Sequence, residues 1–370
     1  VTAREIQRDL SRWFARNARA LPWRKKPADP YAVWLSEIML QQTTVAAVVP
    51  YFERFLGRFP TVEDLARAPL DRVLEAWAGL GYYRRARHLH AAARVLAGSG
   101  FPRTAEALEE LPGIGPYTAG AIASIAFDEP SPLVDGNVAR VLSRLRRVPG
   151  DPKQGPAKKR LWEIARELVP PRGASVHNQA LMELGALVCA PRSPRCEECP
   201  VARHCEARAA GDAERFPELP PRAKARSRRD LALAFFERGR VLLGKRHEGA
   251  VWGGLWELPR VTLLEGEPDE DAARRLGREL LGRGARLRGG ETLASVRHTV
   301  MRERIELRVV AGELDGRPRS RGYAELRWVG VEELGSLALP SPQRRVMARV
   351  SARIIRDCGA EPRKFNERGR

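Results

Sequence analysis

Residues 111–122 read LPGIGPYTAGAI. Two glycines and two prolines crowd directly ahead of an Ala-rich apolar run, a composition that predicts a tight, stiff turn opening onto a buried helix. Such a turn exposes backbone N–H groups at the positive end of the helix dipole, and Gly113 and Gly115 become candidates to grip one phosphate. The dinucleotide fingerprint G-x-G-x-x-G fails at Pro116 to Thr118, and no strand precedes the turn. As a local pattern, a plain helix–helix corner fits equally well, so the surroundings must decide. Tyr117 stands where the turn becomes the helix.

Outward from this turn the periodicity stays helical from the N-terminus to about residue 207. In residues 61–81, TVEDLARAPLDRVLEAWAGLG, Thr61 is placed to cap with Asp64, and Leu65, Leu70, Val73, Leu74, Trp77 and Leu80 supply an apolar side. Residues 208–229 change character, with prolines and a basic run from Arg222 to Arg229, and read as an interdomain linker lying on phosphates. Beyond residue 230, LALAFFERGRVLLGKR reads as a hairpin around Arg-Gly. SVRHTVMRERIELRVV alternates again toward Val310, and DEDAARRLGRELLGRG lies between them as a helix. The expected architecture is therefore an all-α domain over 1–207 and a smaller α+β domain over 230–357, followed by a polar tail at 358–370.

The 370 residues carry 65 Lys and Arg against 46 Asp and Glu, a net charge of +19. That excess points to a polyanionic partner, and nucleic acid is the default. An Arg- and Ala-rich genome would leave a similar mark. The start of the chain reads as an amphipathic helix carrying Ile6, Leu10, Trp13 and Phe14, and no apolar run approaches membrane-spanning length. The expectation is a soluble, cytoplasmic protein, nucleoid-associated if bacterial, with no membrane partner.

Four of the five cysteines, Cys189, Cys196, Cys199 and Cys205, follow the pattern C-x6-C-x2-C-x5-C, and Cys358 stands alone. Four thiolates from one compact loop suit a tetrahedral zinc or a [4Fe–4S] cluster. Zinc ribbons show two C-x2-C pairs where this chain has one, so the spacing leans toward iron–sulfur. Arg192 and Arg195 sit inside the six-residue gap, where the loop could meet a phosphate backbone.

LPGIGPYTAGAI, then VDGNVARVLSR at 134–144, then the four-cysteine loop, together resemble the helix-hairpin-helix base-excision glycosylases of the endonuclease III type. Upstream, LPWR, DPYAVWLSEIMLQQT and AGLGYYRRARHLHAAA are similar to the adenine-specific branch of that superfamily. The resemblance covers residues 6 to 206 and continues more weakly beyond 230, where the family's second domain is Nudix-like. It implies a monofunctional glycosylase that removes adenine mispaired with 8-oxoguanine or guanine in double-stranded DNA, with a [4Fe–4S] cluster. Protein partners are not indicated.

By this resemblance Glu37 is the general acid that protonates the leaving adenine and Asp135 the carboxylate facing the sugar. The pairing agrees with the chemistry, because cleaving an N-glycosidic bond needs a proton for the base and a negative charge beside an oxocarbenium-like sugar. Trp34, Ile38 and Leu40 flank Glu37, and desolvation there would keep it protonated. A lysine occupies the position of Tyr117 in the lyase branch and attacks the sugar; tyrosine cannot form that imine. Tyr117 is expected to hydrogen-bond near Asp135, and Asn137 to orient Asp135 or shape its turn. Arg19, Trp23, Arg24 and Gln179 match positions around the extruded adenine, while Gln42, Thr43 and Tyr82 match those that wedge the stack and read the opposite base.

Two matches fail on inspection. GRVLLGKR imitates a P-loop, but Arg246 replaces the required Ser or Thr. Arg278 and Glu279 are followed by Gly282 and Arg283 where a Nudix hydrolase needs further carboxylates for Mg²⁺, so the second domain is expected to recognise and not hydrolyse. One departure from the family is expected to matter. After RHT, where relatives carry Phe-Ser-His on the loop that reads 8-oxoguanine, this chain has Val300, Met301 and Arg302. Arg302 is a donor suited to ordinary guanine, so preference for 8-oxoguanine should fall or pass to Gln42, Thr43 and Tyr82. Two rival readings are a same-fold enzyme acting on another base such as thymine, which Glu37 in SEIMLQQT disfavours, and a non-catalytic iron–sulfur DNA-binding or redox-sensing protein, which intact Glu37 and Asp135 disfavour.

Overall fold

A computed structural model describes residues 2–221 and 225–357. Arg222 of the basic run, the expected tail 358–370 and Cys358 lie outside the described residues. Two compact units emerge. One comprises Val1–Ala68 and Arg84–Pro221, the other Pro69–Tyr83 and Arg222–Arg370.

The first unit is helical. Its helices are α1 (Ala3–Asn17), α2 (Pro30–Leu40), α3 (Val45–Arg58) and α4 (Val62–Arg67). After α5 (Leu70–Trp77), which falls in the other unit, come α6 (Arg84–Ser99), α7 (Ala105–Glu109), α8 (Pro116–Phe127), α9 (Gly136–Leu145), α10 (Gly155–Leu168), α11 (Ala174–Leu187) and the short α12 (Glu206–Ala209). The apolar stripes of α1, α9, α10 and α11 share one core of Ile6, Leu10, Val138, Leu142, Leu161 and Leu184. By contrast α2 and α8 are buried along almost their whole circumference, which their uniform apolarity requires. Asp29 caps α2 by accepting from the Tyr31 N–H at 2.9 Å, with Pro30 in the first turn. At the other end the Arg85 guanidinium collects the carbonyls of Ile38, Met39 and Gln41 at 2.6–2.9 Å, satisfying a buried helix terminus. In α8, Gly120 allows the helix to pass Pro132, whose carbonyl would lie 2.1 Å from an added Cβ.

The periodic stretch 61–81 forms two helices. Thr61 accepts from the Asp64 N–H as expected, at 3.1 Å, but α4 stops at Arg67 ahead of Pro69, which cannot continue a helical ladder. The expected linker 208–229 is also shorter at both ends. Arg147 pairs with Asp212 at 2.6 Å and Arg144 donates to the Phe216 carbonyl at 3.0 Å, tying residues past 207 to the helical unit. The first strand already starts at Arg226.

The second unit is a mixed sheet with a helix on each face. Its elements are β1 (Arg226–Glu237), β2 (Arg240–Lys245), β3 (Trp256–Glu257), β4 (Arg260–Thr262), α13 (Asp269–Leu280), β5 (Ala285–Val300), β6 (Glu303–Leu314), β7 (Glu325–Gly330) and α14 (Ser341–Asp357). The strand order is β3-β2-β1-β6-β5, with β4 also on β1 and β7 on β2; β1 and β6 run parallel and the other pairs antiparallel. Alternation along β1 serves both faces. Leu231, Leu233 and Phe235 cluster with Ala272, Ala273 and Leu276 of α13, while Ala232 and Ala234 cluster with Val346, Met347 and Val350 of α14. The Arg238-Gly239 turn of the β1–β2 hairpin has positive φ at both residues, 45° and 74°, as a two-residue loop requires. In this unit the Tyr83 hydroxyl donates to the Leu339 carbonyl at 3.2 Å and Lys245 pairs with Asp71 at 3.0 Å. Among the described residues no helix is long and apolar enough to cross a membrane.

Candidate active site

Helices α2, α8, α9 and α11 bring their functional side chains to one cavity of about 780 Å³ in the helical unit. It is lined by Arg19, Trp23, Arg24, Glu37, Gln42, Thr43, Tyr117, Asp135, Asn137 and Gln179, residues drawn from positions 160 apart in sequence. Its size accommodates a nucleobase with its sugar.

Glu37 faces this cavity from the buried body of α2 and is 4% exposed. Burial pushes its carboxyl up from 4.5 to about 7. The Tyr117 hydrogen bond opposes that rise and the charge of Asp135 reinforces it. The Tyr117 hydroxyl donates to Glu37 Oε2 at 2.5 Å. From the second position of α8, packed against α2, the phenol bonds Glu37, with Asp135 in the same cavity. Burial and both neighbouring carboxyls hold the Tyr117 proton on its oxygen.

Asp135 is the N-cap of α9 and accepts from the Val138 N–H at 2.6 Å and from Asn137 Nδ2 at 3.1 Å. Burial wins and lifts its pKa above the ordinary value, while these bonds and the backbone N–H of Asn137 limit the rise. Arg140 extends the array, donating to Asn137 Oδ1 at 2.9 Å, the Gly185 carbonyl at 2.7 Å and the Cys189 carbonyl at 2.7 Å. A continuous run of hydrogen bonds thus links Asp135 to the cysteine loop.

The far wall is organised by Glu183, which the sequence reading missed. Its side chain is 1% exposed and accepts from Arg19 Nη2 at 2.8 Å and Arg24 Nη2 at 2.9 Å, with further bonds from Arg19 Nε and the Arg19 backbone. Burial alone would raise this carboxyl; the two guanidinium groups outweigh it and hold it at about 2. Glu183 lies one helical turn after Gln179 on α11, which was the one local signal for it. Trp23, 7% exposed, packs edge-on against Phe52 at 5.2 Å. Gln42 and Thr43 lie beyond the end of α2, and Gln42 is exposed in a left-handed conformation at φ 58°, an uncommon state for a non-glycine residue that clusters at functional sites.

Other expected site residues do not line this cavity. Tyr82, half exposed with φ 47°, and Arg302, exposed beside Met301 at the β5–β6 turn, belong to the second unit. In the hairpin, Gly113 has φ 76°, and an added Cβ would lie 2.4 Å from His88 Cβ; Gly115 is the N-cap of α8 with open space around it. Arg192 is exposed. Arg195 is already engaged, donating to the Leu187 carbonyl and pairing with Glu198 at 3.0 Å.

Cys189, Cys196, Cys199 and Cys205 line a single cavity together with Arg144, Val141, Leu145, Leu184 and Val201. Arg144 Nη1 donates to Cys189 Sγ at 3.3 Å and to the Ala190 carbonyl at 2.7 Å. Burial pushes the Cys199 thiol up to about 12, and the neighbouring cysteines add to the rise. Among the described residues no three His, Cys, Asp or Glu side chains converge tightly enough to hold one metal ion. Four soft donors around a shared cavity could hold a metal ion or an iron–sulfur group.

Among the described residues of the second unit, Asp230 and Glu257 are buried carboxylates, both paired with Arg260. Glu279 is 58% exposed and sits 3.8 Å from Arg275.

A model of the HhH-GPD superfamily of base excision DNA repair proteins matches residues 35–167, and a NUDIX domain model matches 231–349. The adenine DNA glycosylase of Homo sapiens is 36% identical over 400 residues, covering 91% of this chain and 72% of the human protein. That of Arabidopsis thaliana is 41% identical over 302 residues, covering 70% of this chain and 48% of the plant protein. Among solved structures, a thermostable thymine-DNA glycosylase aligns with a TM-score of 0.50 at 29% identity, covering 56% of this chain and 97% of that one. The helical hairpin unit, the acidic cavity and the appended Nudix unit accord with these likenesses: the chain belongs to the adenine DNA glycosylase family of base excision repair, hydrolases of the N-glycosyl bond.

Proposed function

We propose that this protein excises adenine mispaired with 8-oxoguanine or guanine in duplex DNA, with Glu37 as general acid and Asp135 as the carboxylate facing the sugar. The observation that carries the reading is a buried carboxyl with a pKa near 7, held by a tyrosine where a lyase needs a lysine, in one cavity with a second carboxyl. Glu37 gives its proton to a base nitrogen as the glycosidic bond breaks and the bonding electrons leave with adenine. Tyr117 occupies Oε2, leaving Oε1 to carry the proton. Asp135, kept toward its ionised form by the α9 N-terminus and Asn137, stabilises the cationic sugar until water adds to the anomeric carbon. The environments that separate the two carboxyls assign them opposite roles. Arg19, Trp23, Arg24 and Gln179 enclose the base, and Gln42, Thr43 and Tyr82 fill the stack and read its former partner. Gly113, Gly115, Arg192 and Arg195 address phosphates. Arg302 sits on the turn that differs from the family, so discrimination of 8-oxoguanine from guanine rests more on the first three residues.

Cys189, Cys196, Cys199 and Cys205 would hold a [4Fe–4S] cluster, whose part is to tie the 189–205 loop into one rigid piece. The protein's place of work is with the DNA, in the cytoplasm and on the nucleoid if the source is bacterial. Single-turnover excision across all mismatches, with and without 8-oxoguanine, tests the reading. Release of adenine from A:8-oxoguanine and A:guanine duplexes is expected; release of thymine, or of no base, overturns it. Brown protein whose visible absorption bleaches as iron is lost supports the cluster, and colourless protein with stoichiometric zinc refutes it.

A further inference from the structure

We infer that the base pocket has a second opening, and that the vestibule behind it receives the excised purine on its way to solvent while DNA is still bound. The inference rests on the excision proposed above.

Next to the active-site cavity lies a second one of about 850 Å³, formed by the end of α1, the 18–28 segment and the first turn of α11. The two share a wall of six residues, Arg19, Leu21, Trp23, Arg24, Ile125 and Gln179. Most of that wall is pinned. Glu183 clamps both arginines, and Trp23 is buried against Phe52. Gln179 is the exception. Its amide donates only within its own helix, to the Ser175 carbonyl at 3.3 Å and hydroxyl at 3.2 Å, and Ser175 lines the outer cavity alone. Rotating one side chain that holds two long hydrogen bonds therefore exchanges partners between vestibule and base pocket.

The vestibule's chemistry suits a neutral, flat heteroaromatic ring. Phe14, Val49 and Val176 offer apolar surface, and Ser11 and Ser175 offer hydroxyls. Val176 stays 37% exposed, and Ala15, Ala18 and Lys25 are exposed at the rim, so this side is open to water. Gln42 and Thr43 line the base pocket but not the vestibule, and on the reading above they are where the duplex meets the pocket. A base cut from DNA still seated there has its way back blocked, and a rear opening removes the block.

Val176→Trp and Ala18→Trp fill the vestibule from positions that do not line the active-site cavity. Bond cleavage is read as alkali-labile sites, and free adenine is read separately after rapid gel filtration of the enzyme–DNA complex. In wild type adenine should leave before the DNA dissociates. Both variants should cleave at the wild-type rate and release adenine at least about tenfold more slowly, the effect of about 1.4 kcal/mol added to the exit barrier. Adenine that leaves wild type only together with DNA, or leaves both variants at the wild-type rate, overturns the second opening. Absence of alkali-labile sites with wild type would instead overturn the excision reading itself.

Discussion

Replacing Glu37 with Gln should abolish excision and stabilise the free protein, and the size of the second effect follows from the first. The carboxyl is 4% exposed and lifted from 4.5 to about 7, mainly by burial. At 1.36 kcal/mol per tenfold in proton affinity, that lift corresponds to about 3 kcal/mol by which ionised Glu37 weakens the folded state. Below 4.5 the group is neutral in both folded and unfolded chains and no penalty exists. Between 4.5 and about 7 the unfolded chain loses its proton while the folded one keeps it, so the penalty grows, and above about 7 it is complete. Gln has nearly the same shape, can still accept from Tyr117, and carries no charge. For a helical unit of roughly 200 residues, about 3 kcal/mol is a rise in unfolding midpoint of about 6–12 °C at pH 8, shrinking toward zero near pH 4.5. Thermal unfolding of wild type and Glu37→Gln across pH 4.5–8, beside single-turnover excision, measures both effects. A midpoint difference independent of pH, or unchanged excision by the variant, would refute the assignment of Glu37 as a buried, proton-holding acid.

Tyr117→Phe removes a hydrogen bond that favours the ionised form of Glu37, so the alkaline limb of the excision profile should move up by about one pH unit, the worth of a charge-assisted bond of about 1.5 kcal/mol. A limb that moves down or stays put contradicts that geometry. Glu183→Ala strands two guanidinium groups and should cost about 3 kcal/mol, the low end for a broken buried pair because Arg19 is a third exposed. Glu183 sits at about 2 when folded, so its contribution is full above 4.5 and lost as pH falls toward 2; denaturant titrations of wild type and variant should converge there. Gly113→Ala meets His88 and a positive φ, whereas Gly115→Ala meets open space. Only the former should weaken DNA binding, and it should flatten the log–log salt dependence by about one unit if the hairpin holds one phosphate.

Local chemistry made much of this protein readable from its sequence. The Gly-Pro turn before an apolar run announces α8, the cysteine spacing announces a multi-thiolate loop, and Arg-Gly between alternating runs announces the β1–β2 hairpin. Glu37 and Asp135 each stand in a contiguous motif, and the structure brings both to one cavity. The break at Pro69 was written in the sequence too, but the apolar periodicity on either side of it reads through.

What the sequence by itself determined, then, are features whose physical cause lies within a few residues: a cap, a turn, a stripe, a ligand spacing. What only tertiary structure decided are partnerships across the chain. Glu183 meets Arg19 and Arg24 from 164 and 159 residues away, Tyr117 bonds Glu37 from 80, and Arg85 caps α2 from more than 40. No periodicity encodes such pairs, because they form only where buried helices are packed until their polar side chains have no water left and must find each other.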